Sequence, residues 1–142
     1  MVKNVLKRNF PMEKIINISF PGGKKVIAQM GDRLIATDQS IESGGEGSAP
    51  EPFTLFLASL ATCAGYYALQ FCLSRDISTQ GMSCSVVFSY NEQVRRYTAV
   101  RIALKLPPGF PDKYRDAIVR AMDSCAVKKH LLQPPKFELR AE

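Results

Sequence analysis

The first periodic stretch of the chain alternates. KIINISF (14–20), KKVIAQM (24–30) and RLIATD (33–38) place apolar residues near every second position, the period of a half-buried strand. Pro21-Gly22-Gly23 and Gly31-Asp32 supply turn residues between them, so a three-strand meander is predicted. Alternation returns in MSCSVVFSY (82–90) and YTAVRIALKLP (97–107), separated by NEQVRR. These two runs predict a hairpin, with Ile102, Leu104 and Leu106 on one face. After PPGFP (107–111) the period becomes helical. Tyr114, Ile118, Ala121 and Met122 form an apolar stripe over 111–125, with Lys113, Arg115, Asp116, Arg120 and Asp123 outside it. AVKKHLLQ predicts a short helix stopped by Pro134-Pro135, and KFELR (136–140) a final edge strand.

Between the meander and the hairpin the pattern is different. QSIESGGEGSAPEP (39–52) is rich in Gly, Ser, Pro and Glu and reads as a long ordered loop, a common carrier of function. A helix follows from about 52 to 74, with Pro52 in the first turn, where its missing N–H costs nothing. Phe53 to Leu73 is 21 residues without a charge. As a helix that is about 32 Å, enough to cross a hydrocarbon core of about 30 Å. Composition argues for burial in protein instead. Thr54, Ser59, Thr62, Cys63, Gln70 and Ser74 interrupt the stretch, and the amphipathic strands around it need an apolar partner. No membrane association is expected. One domain of 142 residues rarely encloses a six-turn helix on every side. A second copy of the chain is the simplest cover, so a homodimer is expected with this helix near the interface.

Length suits a single domain, 1–142. Hydrophobic content of 46% and charged content of 23% are ordinary for a globular protein. MVKNVLKRNFPMEK lacks the apolar run of a signal peptide, which makes the cytoplasm the expected location. The net charge of +6 comes from pairs scattered along the chain, Lys7-Arg8, Lys24-Lys25, Arg95-Arg96 and Lys128-Lys129. No basic run interleaves with aromatics, so no nucleic-acid partner is expected. One histidine and no CxxC pair leave no zinc spacing, so no metal is expected. GGEGS lacks the Lys-Ser/Thr ending of a phosphate loop.

Four cysteines in a reducing compartment are free or redox-active rather than a static staple. Phe56, Leu60, Cys63, Tyr67 and Phe71 share helical spacing, which puts Cys63 on an apolar stripe. An isolated cysteine there, like Cys72 and Cys84, ordinarily packs as a small hydrophobe. Cys125 stands at a helix start followed by Lys128, Lys129 and His130, a setting with a route to a lowered thiol pKa.

GGEGSAPEPFTLFLASLATC resembles the OsmC/Ohr family's Gly-rich loop, proline and LLLASLAAC helix. SCAVKKHL resembles that family's second motif, Cys-Pro-Val-x-Lys-x-Leu, and the order of elements agrees from about 14 to 140. The resemblance implies an α+β fold in which antiparallel sheets wrap long central helices of an interwoven homodimer. It implies a thiol peroxidase for organic hydroperoxides, with Cys63 peroxidatic and Cys125 resolving. No cofactor is implied, only an external dithiol reductant and an apolar peroxide against a wall of Phe53, Phe56, Leu60 and Tyr67. A non-catalytic module holding an apolar small molecule on the same fold is the alternative. Two departures stand out. Where the family has a glutamate ten residues before the first cysteine, this chain has Phe53, with Glu51 the nearest carboxylate. The activating arginine has Arg33 as its nearest counterpart, and Ala126 stands where proline is usual.

Overall fold

The computed structural model describes residues 13–141. Residues 1–12, including the Lys7-Arg8 pair and most of the segment read for a leader, lie outside them. The chain forms two compact units, one up to Pro52 and one from Phe53 onward.

The first unit is an antiparallel meander of β1 (Asn17–Gly22), β2 (Lys25–Met30) and β3 (Arg33–Thr37), in the order β1-β2-β3. The predicted meander is present, but the first turn falls at residues 23–24 rather than at Pro21-Gly22-Gly23. β1 carries Pro21 and Gly22 within it, and its register against β2 slips between Ser19 and Gly22. A bulge at that point spares the proline a ladder bond it cannot donate. Gly31, at φ 60°, makes the second turn, where a side chain would be strained. Ile15, Ile18, Phe20 and Leu34 are exposed on this unit.

The second unit opens with α1 (Pro52–Leu73). Its buried line is Leu60, Ala64, Ala68, Phe71 and Cys72. Of the stripe that apolar spacing predicts, Phe56, Leu60, Cys63, Tyr67 and Phe71, only Leu60 and Phe71 belong to it. On a helix apolar all round, spacing does not select the inward face; here the small residues Ala64 and Ala68 do, because they admit close neighbours. α1 is long and apolar enough to cross a membrane, and 28% of its apolar window is buried within the chain. It stops in a turn at Ser74–Asp76, where Arg75 donates to the Phe71 carbonyl at 3.4 Å and its guanidinium lies 3.9 Å over the Phe71 ring.

β4 (Ser83–Asn91) and β5 (Arg96–Lys105) form the predicted hairpin, with Cys84 opposite Leu104 and Val86 opposite Ile102. The predicted helix over 111–125 is shorter. A single 3-10 turn, Asp112–Tyr114, leads into α2 (Arg115–Met122), and α3 (Ala126–Leu132) follows. Ile118 and Met122 from α2 meet Ala64, Ala68, Phe71 and Cys72 from α1, with Phe110 closing the cluster. Ile118 is fully buried; truncating such a residue to alanine costs about 2–5 kcal/mol.

The expected edge strand at 136–140 is absent from the described residues. KFELR alternates as a strand should, but pairing needs a free edge in register, and no ladder forms there. Phe137 and Leu139 are 84% and 94% exposed, while Arg140 turns back to Glu138 at 3.0 Å.

Candidate functional site

The break between α2 and α3 decides where the chemistry can occur. Cys125 has φ −48° and ψ 121°, an extended residue between two helices. Four backbone N–H groups at the start of a helix have no partner within it. Around α3 each can be followed. The Cys125 N–H donates to the Met122 carbonyl at 3.2 Å, and the Lys128 N–H to the Cys125 sulfur at 3.5 Å. The two that remain, from Ala126 and Val127, lie near the sulfur of Cys63 and favour its thiolate.

Cys63 reaches this point from the middle of α1, close enough to Cys125 for each thiol to shift the other. All four cysteines are free. Two residues 62 positions apart in sequence are thus neighbours. Their thiols are pushed in opposite directions. Burial opposes ionisation of Cys63, yet the Val127 N–H, the Cys125 thiol and the Ala126 N–H together hold its pKa below the ordinary thiol value. Burial pushes Cys125 up, and the neighbouring Cys63 adds to the rise, against donation from the Lys128 N–H.

This corrects the expectation for Cys125. The cations after it do not lower its pKa. The Lys128 ammonium pairs with Asp123, and His130 Nδ1 bonds to the Ala126 carbonyl at 2.7 Å. The group with raised thiolate character is Cys63, and its donors are backbone amides, which residue types alone do not display. The one available signal was that position 126 is not proline and so retains an N–H. Cys72 is buried with its sulfur 3.9 Å from that of Met82, and Cys84 is exposed on β4. Burial raises both thiols.

The other two residues singled out in the sequence belong to the first unit. Arg33 is exposed at the start of β3, opposite Met30. Glu51 accepts the Ser40 N–H at 3.0 Å and thereby closes the loop that begins at Asp38. Asp38 is wholly buried and organises that loop. Its carboxylate takes the Gln39 N–H at 2.8 Å, the Ser48 N–H at 3.0 Å, the Ser48 hydroxyl at 2.7 Å and the Glu46 N–H at 3.2 Å. The Ser48 hydroxyl and N–H are the main reasons its pKa falls from 3.8 to about 2. At the position of the family's glutamate, Phe53 stacks on Tyr97 at 5.8 Å and lies 5.3 Å from Phe56. Its surroundings are an aromatic cluster.

A cavity of about 340 Å³ lies in the second unit, with Leu60, Leu104, Ile118 and Met122 in its wall. Ile102, Leu104 and Leu106, predicted to share one face of a strand, all line it. Cys125 lines it as well, and Cys63 does not. Among the described residues, no group of three or more His, Cys, Asp or Glu is arranged to hold a metal ion.

Comparison with known proteins agrees with this architecture. The sequence model of the family described as OsmC-like protein matches residues 45–140. No curated protein matches by sequence. Among solved structures, a candidate osmotic stress induced and detoxification response protein from Psychrobacter arcticus 273-4 is 23% identical, with a TM-score of 0.69 over 85% of this chain and 90% of that one. An OsmC-like protein from Mycoplasma pneumoniae is 13% identical, with a TM-score of 0.67 over 88% and 91%. An organic hydroperoxide resistance protein OsmC from Legionella pneumophila is 21% identical, with a TM-score of 0.56 over 86% and 90%. At these identities the likeness is one of fold.

Proposed function

The chain belongs to the OsmC-like protein family, and we propose that it reduces organic hydroperoxides through a two-thiol cycle at Cys63 and Cys125. The observation that carries this reading is the nearness of the two thiols, each of which shifts the other, with the Cys63 thiol held low and the Cys125 thiol raised. An ordinary cysteine is only about 3% thiolate at pH 7, and the thiolate is the nucleophile. Backbone donors at Cys63 raise that fraction without the arginine and glutamate of the family pattern, so Arg33 and Glu51 are not required for activation in this account.

The Cys63 thiolate attacks one peroxide oxygen. The S–O bond forms, the O–O bond breaks, and the alkoxide leaves as the alcohol after taking a proton. Cys63 is then a sulfenic acid. The Cys125 sulfur attacks it, water leaves, and a disulfide protects Cys63 from further oxidation. The pair needs an external dithiol to return to the reduced state and needs no cofactor. The fold shared with the Legionella pneumophila organic hydroperoxide resistance protein is consistent with this assignment.

The working form is a homodimer in the cytoplasm. Phe53, Tyr66, Leu69 and Leu73 on α1 are exposed in the single chain, as are Phe20, Leu34, Phe137 and Leu139 elsewhere. Apolar surface on this scale calls for cover, and a second copy supplies it without a membrane. Sedimentation without detergent should give twice the 15.8 kDa of one chain; a monomer, or a chain recovered only with lipid, would defeat this part.

Reduced protein treated with an organic hydroperoxide should lose two hydrogens by mass under non-reducing conditions. Cys63→Ser and Cys125→Ser should each abolish the loss. No change in the wild-type protein at moderate peroxide excess would replace the enzyme with a module that only holds an apolar small molecule.

A further inference from the structure

α2 has two working sides. Arg115, Ile118 and Met122 line the 340 Å³ cavity. Ala117, Arg120 and Ala121 line instead an open cleft of about 510 Å³ against the C-terminal end of α1. The two share no residue, and neither Cys63 nor Cys125 lines the cleft. Tyr67, Ala117 and Ala121 are half-buried and give it an apolar floor, while Gln70, Arg75 and Arg120 are exposed around it.

The charge of this cleft has one sign. Two guanidinium groups line it and no carboxylate does. Other cations on these helices are paired, Arg115 with Asp112 and Lys128 with Asp123. Among the described residues neither Arg75 nor Arg120 has an ion-pair partner. The acids nearest Arg120 in sequence are placed elsewhere: Asp123 holds Lys128, and Asp116 lines the other cavity.

Arg75 is also held still. Its Nη1 donates to the Ser74 hydroxyl at 2.9 Å and to the Phe71 carbonyl at 3.4 Å, and the guanidinium lies 3.9 Å over the Phe71 ring. Among the described residues its Nε and Nη2 donors have no acceptor. That edge of an arginine matches the two oxygens of a carboxylate. A side chain already fixed loses little further rotamer freedom on binding. The C-terminal end of a helix is its negative end and opposes an anion. Here the Phe71, Cys72 and Leu73 carbonyls all accept hydrogen bonds, some of them from Arg75, which blunts that opposition.

We propose that this cleft is a second ligand site, for a small organic carboxylate: Arg75 and Arg120 receive the carboxylate, and its apolar body lies on Tyr67, Ala117 and Ala121. An inorganic anion would leave the floor uncovered, and a neutral molecule would leave both guanidinium groups unpaired. The site does not use the thiol pair and stands or falls independently of the peroxidase reading.

Hexanoate is titrated into the whole reduced chain while amide chemical shifts are followed residue by residue. The signals of Gln70, Ser74, Arg120 and Ala121 should move and saturate, and those of Leu104 and Ile118 should stay still. Hexan-1-ol, which keeps the body, and inorganic phosphate, which keeps only charge, should each bind at least about tenfold more weakly. Arg75→Gln should weaken hexanoate about tenfold, and Arg120→Gln about threefold, because an exposed charge is screened. Added salt should weaken binding in the wild type. Arg75 also closes the end of α1, so Arg120→Gln decides the matter if Arg75→Gln fails to fold. Shifts confined to Leu104, Ile118 and Met122 would overturn the proposal, as would hexan-1-ol binding as tightly as hexanoate, unchanged affinity in Arg120→Gln, or no saturable shift at all. If an acidic side chain of a second copy fills the cleft, hexanoate does not bind and Arg120→Gln loosens the homodimer in sedimentation. That result overturns it too.

Discussion

In the loop from residue 38 to residue 51, one carboxylate gathers three backbone N–H groups and a hydroxyl. At the start of α3, one sulfur is held low by two nearby backbone N–H groups and a thiol. Both arrangements stabilise an anion with donors the backbone must satisfy somewhere, and both depress the pKa of the group they hold. The consequences differ because the acids differ. A carboxyl is ionised at neutral pH whether or not it is held, so its donors act on shape alone. A thiol ionises close to neutrality, so the same donors change how much nucleophile is present. A device that is structural at Asp38 becomes chemical at Cys63.

The largest effect that would separate the two regions is on turnover. Cys63→Ser should reduce hydroperoxide consumption to that of buffer alone. Asp38→Asn should leave the pH profile of Cys63 alkylation unchanged while lowering the melting temperature by several degrees. An amide at position 38 turns an N–H₂ towards the N–H groups of Glu46 and Ser48, where an acceptor stood before. If Asp38→Asn abolishes turnover with the fold and the Cys63 profile intact, the loop takes part in the chemistry and the contrast fails.

A smaller effect tests how tightly the carboxylate closes its loop. A Cβ added at Gly45 would lie 2.1 Å from the Gln39 carbonyl oxygen and 2.9 Å from the Asp38 carboxylate. Those neighbours are the loop's own backbone and its central acceptor, so neither can retreat cheaply. Gly45→Ala should cost about 1–3 kcal/mol in denaturant unfolding. A neutral result would mean that the loop is loose and that Asp38 holds less than its hydrogen bonds suggest.

The acid limb of stability follows from the same carboxylate. Its folded pKa, about 2, lies below 3.8. The folded state therefore binds the proton less readily than the unfolded chain. The contribution is complete above pH 3.8 and disappears as pH falls through about 2. Asp38→Asn should flatten that part of the stability curve, and an unchanged slope between pH 4 and pH 2 would sink the assignment.

The sequence carried different parts of this contrast unequally. Meander, hairpin and long helix were legible because period two and period 3.6 are written in single residues such as Ile102, Leu104 and Leu106. The inward line of α1 was not, since Phe56, Tyr67 and Leu60 are alike apolar and only tertiary contact chooses among them. KFELR shows the limit of periodicity: a strand pattern gives no edge to pair with. The two cysteines and their roles could be named from the motif resemblance, and the groups that set their acidity could not. Their order of acidity depends on where the Ala126 and Val127 N–H groups point, and the side chains of Lys128 and His130 suggested the opposite one. Glu51 and Arg33 attracted attention as charges; Glu51 is occupied by the Ser40 N–H.

The subtlest test removes a single hydrogen. Ala126 is the first residue of α3, and its N–H is one of the groups that hold the Cys63 thiol low. Proline is well accepted at the first helical position. The residue before a proline is pressed towards extended angles, and Cys125, at φ −48° and ψ 121°, already has an extended ψ. Ala126→Pro therefore deletes one donor with little backbone adjustment and restores the residue usual in the family motif. The Cys63 thiol should become harder to ionise, shifting its alkylation profile to higher pH and slowing alkylation at pH 7 several-fold. Cys84, far from this donor in sequence and raised by burial alone, should keep its own profile and serve as the internal reference. If both thiols move together, the substitution has disturbed the fold. If neither moves while the helix content is unchanged, the Val127 N–H and the Cys125 thiol suffice, and the alanine at 126 has no part in activating Cys63.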